Sequence, residues 1–327
     1  MHPMISSTQH TVGLLLFPRF QLLAYVMATE TLRLANKVAG RSVFRWETLS
    51  QNGAPVAASN GVPVVPSGLV ANAAGLSLLL LCAGYDPLAE VSDSTKAMLR
   101  KRARLGGMLG GLDTGTVILA ELGLLAGYRA VVHFEAETGF RETYPEISLE
   151  NAIYALDRNR LTAAGGTATG DAMLAWIANV TSPELAVRTA EALIHGSIRP
   201  AGAPQRHSNR SPGNPHFRLL VTLMKDHLEE PLGMDEIARR SGLGKRRIQA
   251  LFLRHGGKAP SAYYLDLRLD RARDLLSSTT MSASAVGAAS GFASPEWFCR
   301  AYRKRFGLPP LQHRKLLLSG IGAGRFD

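Results

Sequence analysis

The chain has 327 residues, enough for about two domains, and its 46% hydrophobic content suits globular cores of ordinary size. It carries two cysteines, Cys82 and Cys299, which sets aside a disulfide framework or a Cys-based metal site and fits a reducing, cytoplasmic setting. The formal charge of +11 is unevenly placed: residues 1–199 hold 16 Lys/Arg against 16 Asp/Glu, residues 200–327 hold 21 against 10. All the excess positive charge therefore lies in the C-terminal part, which points to a polyanionic partner there.

Met1–Thr11 is short and polar, so a signal peptide is not expected. The apolar run Leu76–Ala83 falls far below the ~20 residues that span a bilayer, and no membrane partner is expected. Along the chain, strands are expected at Val12–Phe17, Phe44–Ser50, Leu76–Cys82, Gly106–Leu112, Ala130–His133, Ile153–Leu156 and Leu161–Ala164. Between and after them, helical spacing marks Phe20–Val38, Ser94–Leu105, Thr116–Leu125, Glu135–Tyr144, Gly170–Val180 and Pro183–His195. This alternation predicts an α/β domain over residues 10–196, a parallel-sheet flavodoxin-like sandwich with helices on both faces. A linker is expected over 197–214, since Gly196–Pro215 holds four Pro, three Gly and three Ser.

An all-α domain follows over 215–316, with a tail at 317–327. It says nearly the same thing twice. Ser241-Gly242-Leu243 answers Ser290-Gly291-Phe292, and Ile248, Phe252, Gly257 and Pro260 answer Phe298, Tyr302, Gly307 and Pro310. Each copy reads as a short helix, a Gly-containing turn and a basic second helix, the pattern of a helix-turn-helix. The first turns of the second helices would face bases and phosphates of double-stranded DNA. They carry Lys245, Arg246, Arg247 and Gln249 in one copy, and Glu296, Trp297, Arg300 and then Arg303 in the other. Ile248, Leu251 and Phe252, like Phe298, Ala301 and Tyr302, are expected inside.

Residues 216–315 resemble the DNA-binding module of the AraC/XylS regulators. The resemblance rests on the two Ser-Gly turns, Phe298-Cys-Arg300-Ala-Tyr302 and Phe306-Gly307-Leu-Pro-Pro310. It departs from the family at Gly244, where a capping Ser is usual, and at Ala250.

In the front domain, Gly111-Leu-Asp-Thr-Gly115 joins a strand to a helix in a G-x-D-x-G pattern, like a nucleophile elbow. With Glu30-Thr-Leu-Arg33-Leu-Ala-Asn36 and Leu161-Thr-Ala-Ala-Gly165-Gly166, it makes the first 180 residues similar to the PfpI-like (class I glutamine-amidotransferase-like) fold. In particular they resemble the sensing half of GlxA-like regulators. Enzymes of that fold carry Cys at the elbow; here it is Asp113, which implies a domain that is not an enzyme.

The resemblance implies a transcription regulator, an activator, answering a small amine or amino-acid-type metabolite. Its ligand-binding residues would be Glu30, Asp113, Thr114, His133 and Phe134, with Phe17 or Trp46 as further aromatic faces. No cofactor, metal or catalytic residue is expected. A homodimer through the front domain is implied, and RNA polymerase is a further candidate partner. The competing reading is a PfpI-like hydrolase or amidase fused to a DNA-binding module. Asp113 as a plain turn residue, and His133 and Glu30 as structural groups, also stay open.

Overall fold

A computed structural model describes residues 9–72, 75–205 and 214–319. The expected tail beyond 319 and the linker positions 206–213 lie outside the described residues, as do residues 1–8. The chain divides into two compact units, Met1–Gln205 and Arg206–Asp327.

The first unit is built on a seven-stranded sheet: β1 His10–Leu16, β2 Phe44–Ser50, β3 Gly68–Leu69, β4 Leu78–Ala83, β5 Leu109–Asp113, β6 Tyr154–Asp157 and β7 Arg160–Ala163. The spatial order is β6-β7-β5-β4-β1-β2-β3. Every pairing is parallel except β6 with β7, so the sheet is mixed at that edge rather than wholly parallel. The sheet forms because its central strands are apolar on both faces. Leu78, Leu80 and Cys82 of β4 enter one buried cluster with Val12, Leu14 and Leu16 of β1; Leu79, Leu81 and Ala83 enter another with Leu15. That is the period of two of a strand buried on both sides.

One face is covered by α1 (Leu22–Ala39), α5 (Ala168–Val180) and α6 (Pro183–Ala192), the other by α2 (Asp93–Arg104), α3 (Gly115–Glu121) and α4 (Phe134–Thr143). No described helix is long and apolar enough to cross a membrane.

The strand expected over Ala130–His133 is not part of this sheet. Only Arg129–Ala130 pairs, with Ser148–Leu149, in a separate ladder. The reason is local: Val131 N–H donates to the Thr162 hydroxyl at 2.9 Å, and Val131 C=O accepts from the Thr116 hydroxyl at 2.8 Å. Side chains take the backbone groups that a ladder would use.

Residues 197–205 also differ from a free linker. Arg199 is bonded to Asp171, Ala201 C=O accepts from Ile153 N–H, and the Gln205 amide donates to the carbonyls of Val132 and Ala152.

The second unit holds α7 (Pro215–Lys225), α8 (Met234–Ser241), α9 (Lys245–Gly256), α10 (Pro260–Ser278), α11 (Ala283–Ala289), α12 (Pro295–Phe306) and α13 (Pro310–Ser319). It has two small cores. Leu220, Met224, Ile237, Ile248 and Phe252 fill the first; Ala272, Leu275, Val286, Phe298 and Tyr302 fill the second. Helix α10 contributes to both. The closing helix α13 was not legible in the spacing. It is held by Tyr302 with His313 (3.0 Å) and by Arg314, which donates to the Leu276 and Met281 carbonyls.

Candidate nucleic-acid interface and sheet-edge site

Each half of the second unit is a helix, a glycine turn and a second helix: α8 and α9, then α11 and α12. Gly242 (φ 68°) and Gly291 (φ 77°) make the turns. The two recognition helices start differently. Ser294 caps α12, its hydroxyl accepting from Trp297 N–H at 3.3 Å, and Pro295 opens the helix. Gly244 precedes α9 and offers no side-chain cap.

Lys245, Arg246, Arg247, Gln249, Glu296, Trp297, Arg300 and Arg303 are all exposed, while Ile248, Leu251, Phe252, Phe298 and Tyr302 are buried; Ala301 is half-buried. The polar stripe on each recognition helix is therefore free to meet a partner. Lys245 is ion-paired with the exposed Asp235. The Glu296 carboxylate takes the Ser294 hydroxyl at 2.5 Å; that bond first, then its own backbone N–H and the charge of Arg300, holds its pKa below the usual range. Glu296 thus also stabilises the start of its own helix. Arg305, further along α12, turns back to Asp266 (2.8 Å) and Asp270 (2.9 Å) on α10.

In the first unit, Asp113 ends β5 with φ 59°, a left-handed backbone uncommon outside glycine. The flanking glycines explain the G-x-D-x-G pattern. A Cβ at Gly111 would lie 2.4 Å from Thr116 N, and one at Gly115 would lie 2.0 Å from Leu81 O. Strand, turn and helix approach too closely for any side chain there. The turn leaves Asp113 only 6% exposed. Burial, and then the charge of Glu135, push its carboxyl up to about 8, against a smaller opposing bond from Thr114 N–H. The Thr114 hydroxyl is bonded to Gly84 C=O.

Gln21 and Tyr85, which the local pattern did not single out, complete this edge together with the expected His133 and Phe134. Gln21, at the start of α1, accepts from Gly166 N–H. Gly165 has φ 87° and packs so tightly that a Cβ there would lie 3.0 Å from Asp113 Cβ. Tyr85 follows β4, and its hydroxyl is pushed up by burial and then by Glu135 and Asp113. His133 caps α4, its Nδ1 accepting from Glu135 N–H at 3.4 Å, and its ring lies 4.4 Å from that of Phe134.

Glu30 is not brought to this edge. It makes a bidentate pair with Arg33 on α1 (2.6 Å), and that bond first lowers its pKa. It stands nine residues beyond Gln21, about 13 Å along the helix. Trp46 lies on β2, three strands from β5, or about 14 Å. Phe17 is buried beneath the sheet edge. Cys82 cannot replace an elbow thiol: it is fully buried on β4, paired with Leu112, and burial pushes its pKa up.

A helix-turn-helix domain family model matches residues 237–316. The HTH-type transcriptional regulator CdhR of Pseudomonas aeruginosa is 42% identical over 306 residues, covering 93% of this chain and 91% of its own length. The chain belongs to the AraC-family helix-turn-helix regulators with a DJ-1/PfpI-like front domain. Like its relatives, this AraC-family member is a DNA-binding transcriptional regulator. Its front unit is similar to the crystal structure of an AraC family transcriptional regulator from Pseudomonas putida, which is 28% identical, covers 56% of this chain and 99% of its own, and has a TM-score of 0.52. A THiJ/PfpI family protein from Pseudomonas syringae shares the fold, with 20% identity, coverage of 67% and 87%, and a TM-score of 0.52.

Proposed function

We propose that this regulator senses a small cationic metabolite, of the amine or amino-acid type, at the Asp113 edge of its front unit, and that it activates transcription in response. The observation that carries this reading is the buried Asp113 carboxyl, held up to about 8 by burial and by Glu135. A bound cation relieves both causes at once: it supplies the missing counter-charge and favours the ionised carboxylate. The site lies at the C-terminal ends of parallel strands, where ligands of open α/β sheets bind. Tyr85, which is 40% exposed, and Phe134 offer aromatic faces for an ammonium group. Thr114, His133 and Phe134 belong to the site in this reading; Glu30 does not.

The front unit acts without turnover, because Asp113 replaces the thiol that its fold uses for covalent chemistry. Ligand binding shifts the regulator between two states only through different affinity for them. In this reading the recognition-helix residues contact DNA, the front units pair in a homodimer, and the protein works in the cytoplasm beside RNA polymerase.

The test is a thermal-shift screen of the full-length protein against quaternary amines and basic amino acids. A true effector raises the melting temperature in proportion to RT ln(1 + [L]/Kd). Asp113→Asn abolishes that rise. Steady consumption of any probe, lost in the same variant, overturns the sensor reading in favour of a hydrolase or amidase.

A further inference from the structure

The first turn of α12 exposes one large apolar side chain among charged and polar ones. Trp297 is 39% exposed, and its ring packs on Phe292 with centroids 4.8 Å apart. Against both rings lies the guanidinium of Arg268, 4.3 Å from the Phe292 centroid and 5.3 Å from that of Trp297. Arg268 comes from α10 and is buried, 8% exposed. Its Nε donates to Ser290 C=O at 3.0 Å and its Nη2 to Gly291 C=O at 2.6 Å. The helix-turn-helix turn therefore fixes the arginine, and the arginine fixes the indole.

The indole forms one wall of an open groove of about 370 Å³, lined also by Ser261, Ala262, Leu265 and Arg268. Apart from Arg268, whose Nε and Nη2 donate to the turn carbonyls, no charged side chain among the described residues lines it. Its wall Trp297 follows Glu296 in the chain and stands three residues, about one helical turn, before Arg300 on α12, so the groove adjoins the helix start that would face the duplex, and residues 200–327 carry the net positive charge.

We propose that this groove reads thymine: Trp297 and Leu265 receive the C5-methyl of one thymine and its deoxyribose, with Arg268 as a positioning residue that sets the indole. Thymine is the only base with an apolar group on its major-groove edge; cytosine presents a bare C5–H at the same place. An apolar slot beside a base-reading arginine is therefore a thymine selector. The proposal rests on α12 facing DNA.

The test uses the full-length protein and duplexes selected from a random pool by binding at one fixed salt concentration. Each thymine is replaced in turn by deoxyuridine, which removes only the methyl group. Burying one such group is worth about fourfold in affinity. One position is expected to show about that loss with the parent protein. With Trp297→Ala the same replacement has no further effect, because the wall that held the methyl is gone. Arg268→Lys keeps the charge but loses the paired carbonyl bonds and the flat stacking surface; it is expected to flatten the methyl ratio to about one. If Arg268→Lys does not fold, Phe292→Leu, which removes the ring that both the arginine and the indole pack on, is read for the same ratio.

A flat scan with the parent protein overturns the proposal, as does a penalty that survives Trp297→Ala. A ratio that survives Arg268→Lys removes the positioning role. If Arg300→Ala and Trp297→Ala both leave affinity unchanged, the placement of α12 on DNA fails instead. If Arg300→Ala weakens binding and the scan is flat, only the thymine groove fails.

Discussion

Asp171 and Arg199 form a many-bonded polar joint in the front unit. The Asp171 carboxylate, wholly buried on α5, accepts from Arg199 N–H (2.8 Å), Nε (2.9 Å) and Nη2 (2.6 Å), and pairs with His195 at 2.8 Å. The joint straps residues 195–205, which have no regular structure, onto α5. It ends beside the proposed ligand site: Arg199 also donates to Thr167, two residues past Gly165, and Gln205 donates to Val132 C=O, next to His133.

Removing the acid leaves Arg199 N–H, Nε and Nη2 without their carboxylate acceptor, but the Arg199 side chain is 37% exposed, so water offsets part of the loss. Asp171→Ala is expected to cost about 2–3 kcal/mol, or on the order of 5–10 °C in the melting temperature of this unit. Hydrogen exchange should show lost protection at Arg199 N–H and at Ile153 N–H, which bonds Ala201 C=O. A loss below about 1 kcal/mol, with both amides still protected, would falsify the strap.

Asp113 makes stability depend on pH in a definite direction. The folded carboxyl keeps its proton to about 8, whereas in the unfolded chain it ionises near its ordinary value of 3.8. Between those values the folded state holds one more proton, so this group's contribution falls as pH rises and levels off above about 8. The cost at the alkaline end is on the order of a few kcal/mol. Asp113→Asn removes the charge and suits the left-handed backbone. The variant should match the parent near pH 4 and melt higher near pH 8.5; equal melting at both values would refute the raised carboxyl.

Local pattern carried much of this fold. The alternation in Leu78–Ala83 and the two Ser-Gly turns are visible in short windows, because strand period and turn chemistry are local properties. The elbow was legible for the same reason at Gly111, which answers a close approach by Thr116 five residues on; the approach that Gly115 answers comes from Leu81, 34 residues away. Contacts across the chain left no such trace. Gln21 meets Gly166 across 145 residues, and Arg199 and Gln205 sit in a Pro- and Gly-rich stretch whose composition says linker. The distance of Glu30 from the elbow was not legible either, because helical spacing shows that a residue lies on a helix, but not how far along it stands from a site at the helix start. The thymine groove depends on Arg268, whose neighbours in sequence give no hint that it stacks on Trp297.

The unequal caps of the recognition helices predict unequal effects. Ser294 satisfies the Trp297 N–H that would otherwise lack an intrahelical acceptor, so Ser294→Ala should destabilise the second unit by about 1 kcal/mol. At Gly244, which has an extended backbone suited to a cap (φ −65°, ψ 144°), Gly244→Ser should add a few tenths of a kcal/mol. Denaturant melts of the two variants measure this directly. Opposite signs are expected, and a stabilising Ser294→Ala would contradict the observed cap.

Lys245 and Arg300 should fail in different ways when removed. Lys245 is exposed and paired across the surface with Asp235, a partner that it can exchange for a phosphate at little cost. As a point charge it contributes counterion release, which is blind to sequence. Lys245→Ala should weaken binding to selected and unrelated duplexes by the same factor and reduce the slope of log affinity against log salt by about 1. Arg300 stands one helical turn beyond Glu296, with a planar guanidinium suited to a guanine edge. Arg300→Ala should therefore cost about tenfold to a hundredfold on the selected duplex and far less on unrelated DNA, relaxing preference at one position. Titrations at several salt concentrations separate the two. If Arg300→Ala lowers both affinities equally and shifts the salt slope, it too is a phosphate contact, and base reading in the second unit must rest on other side chains of α12.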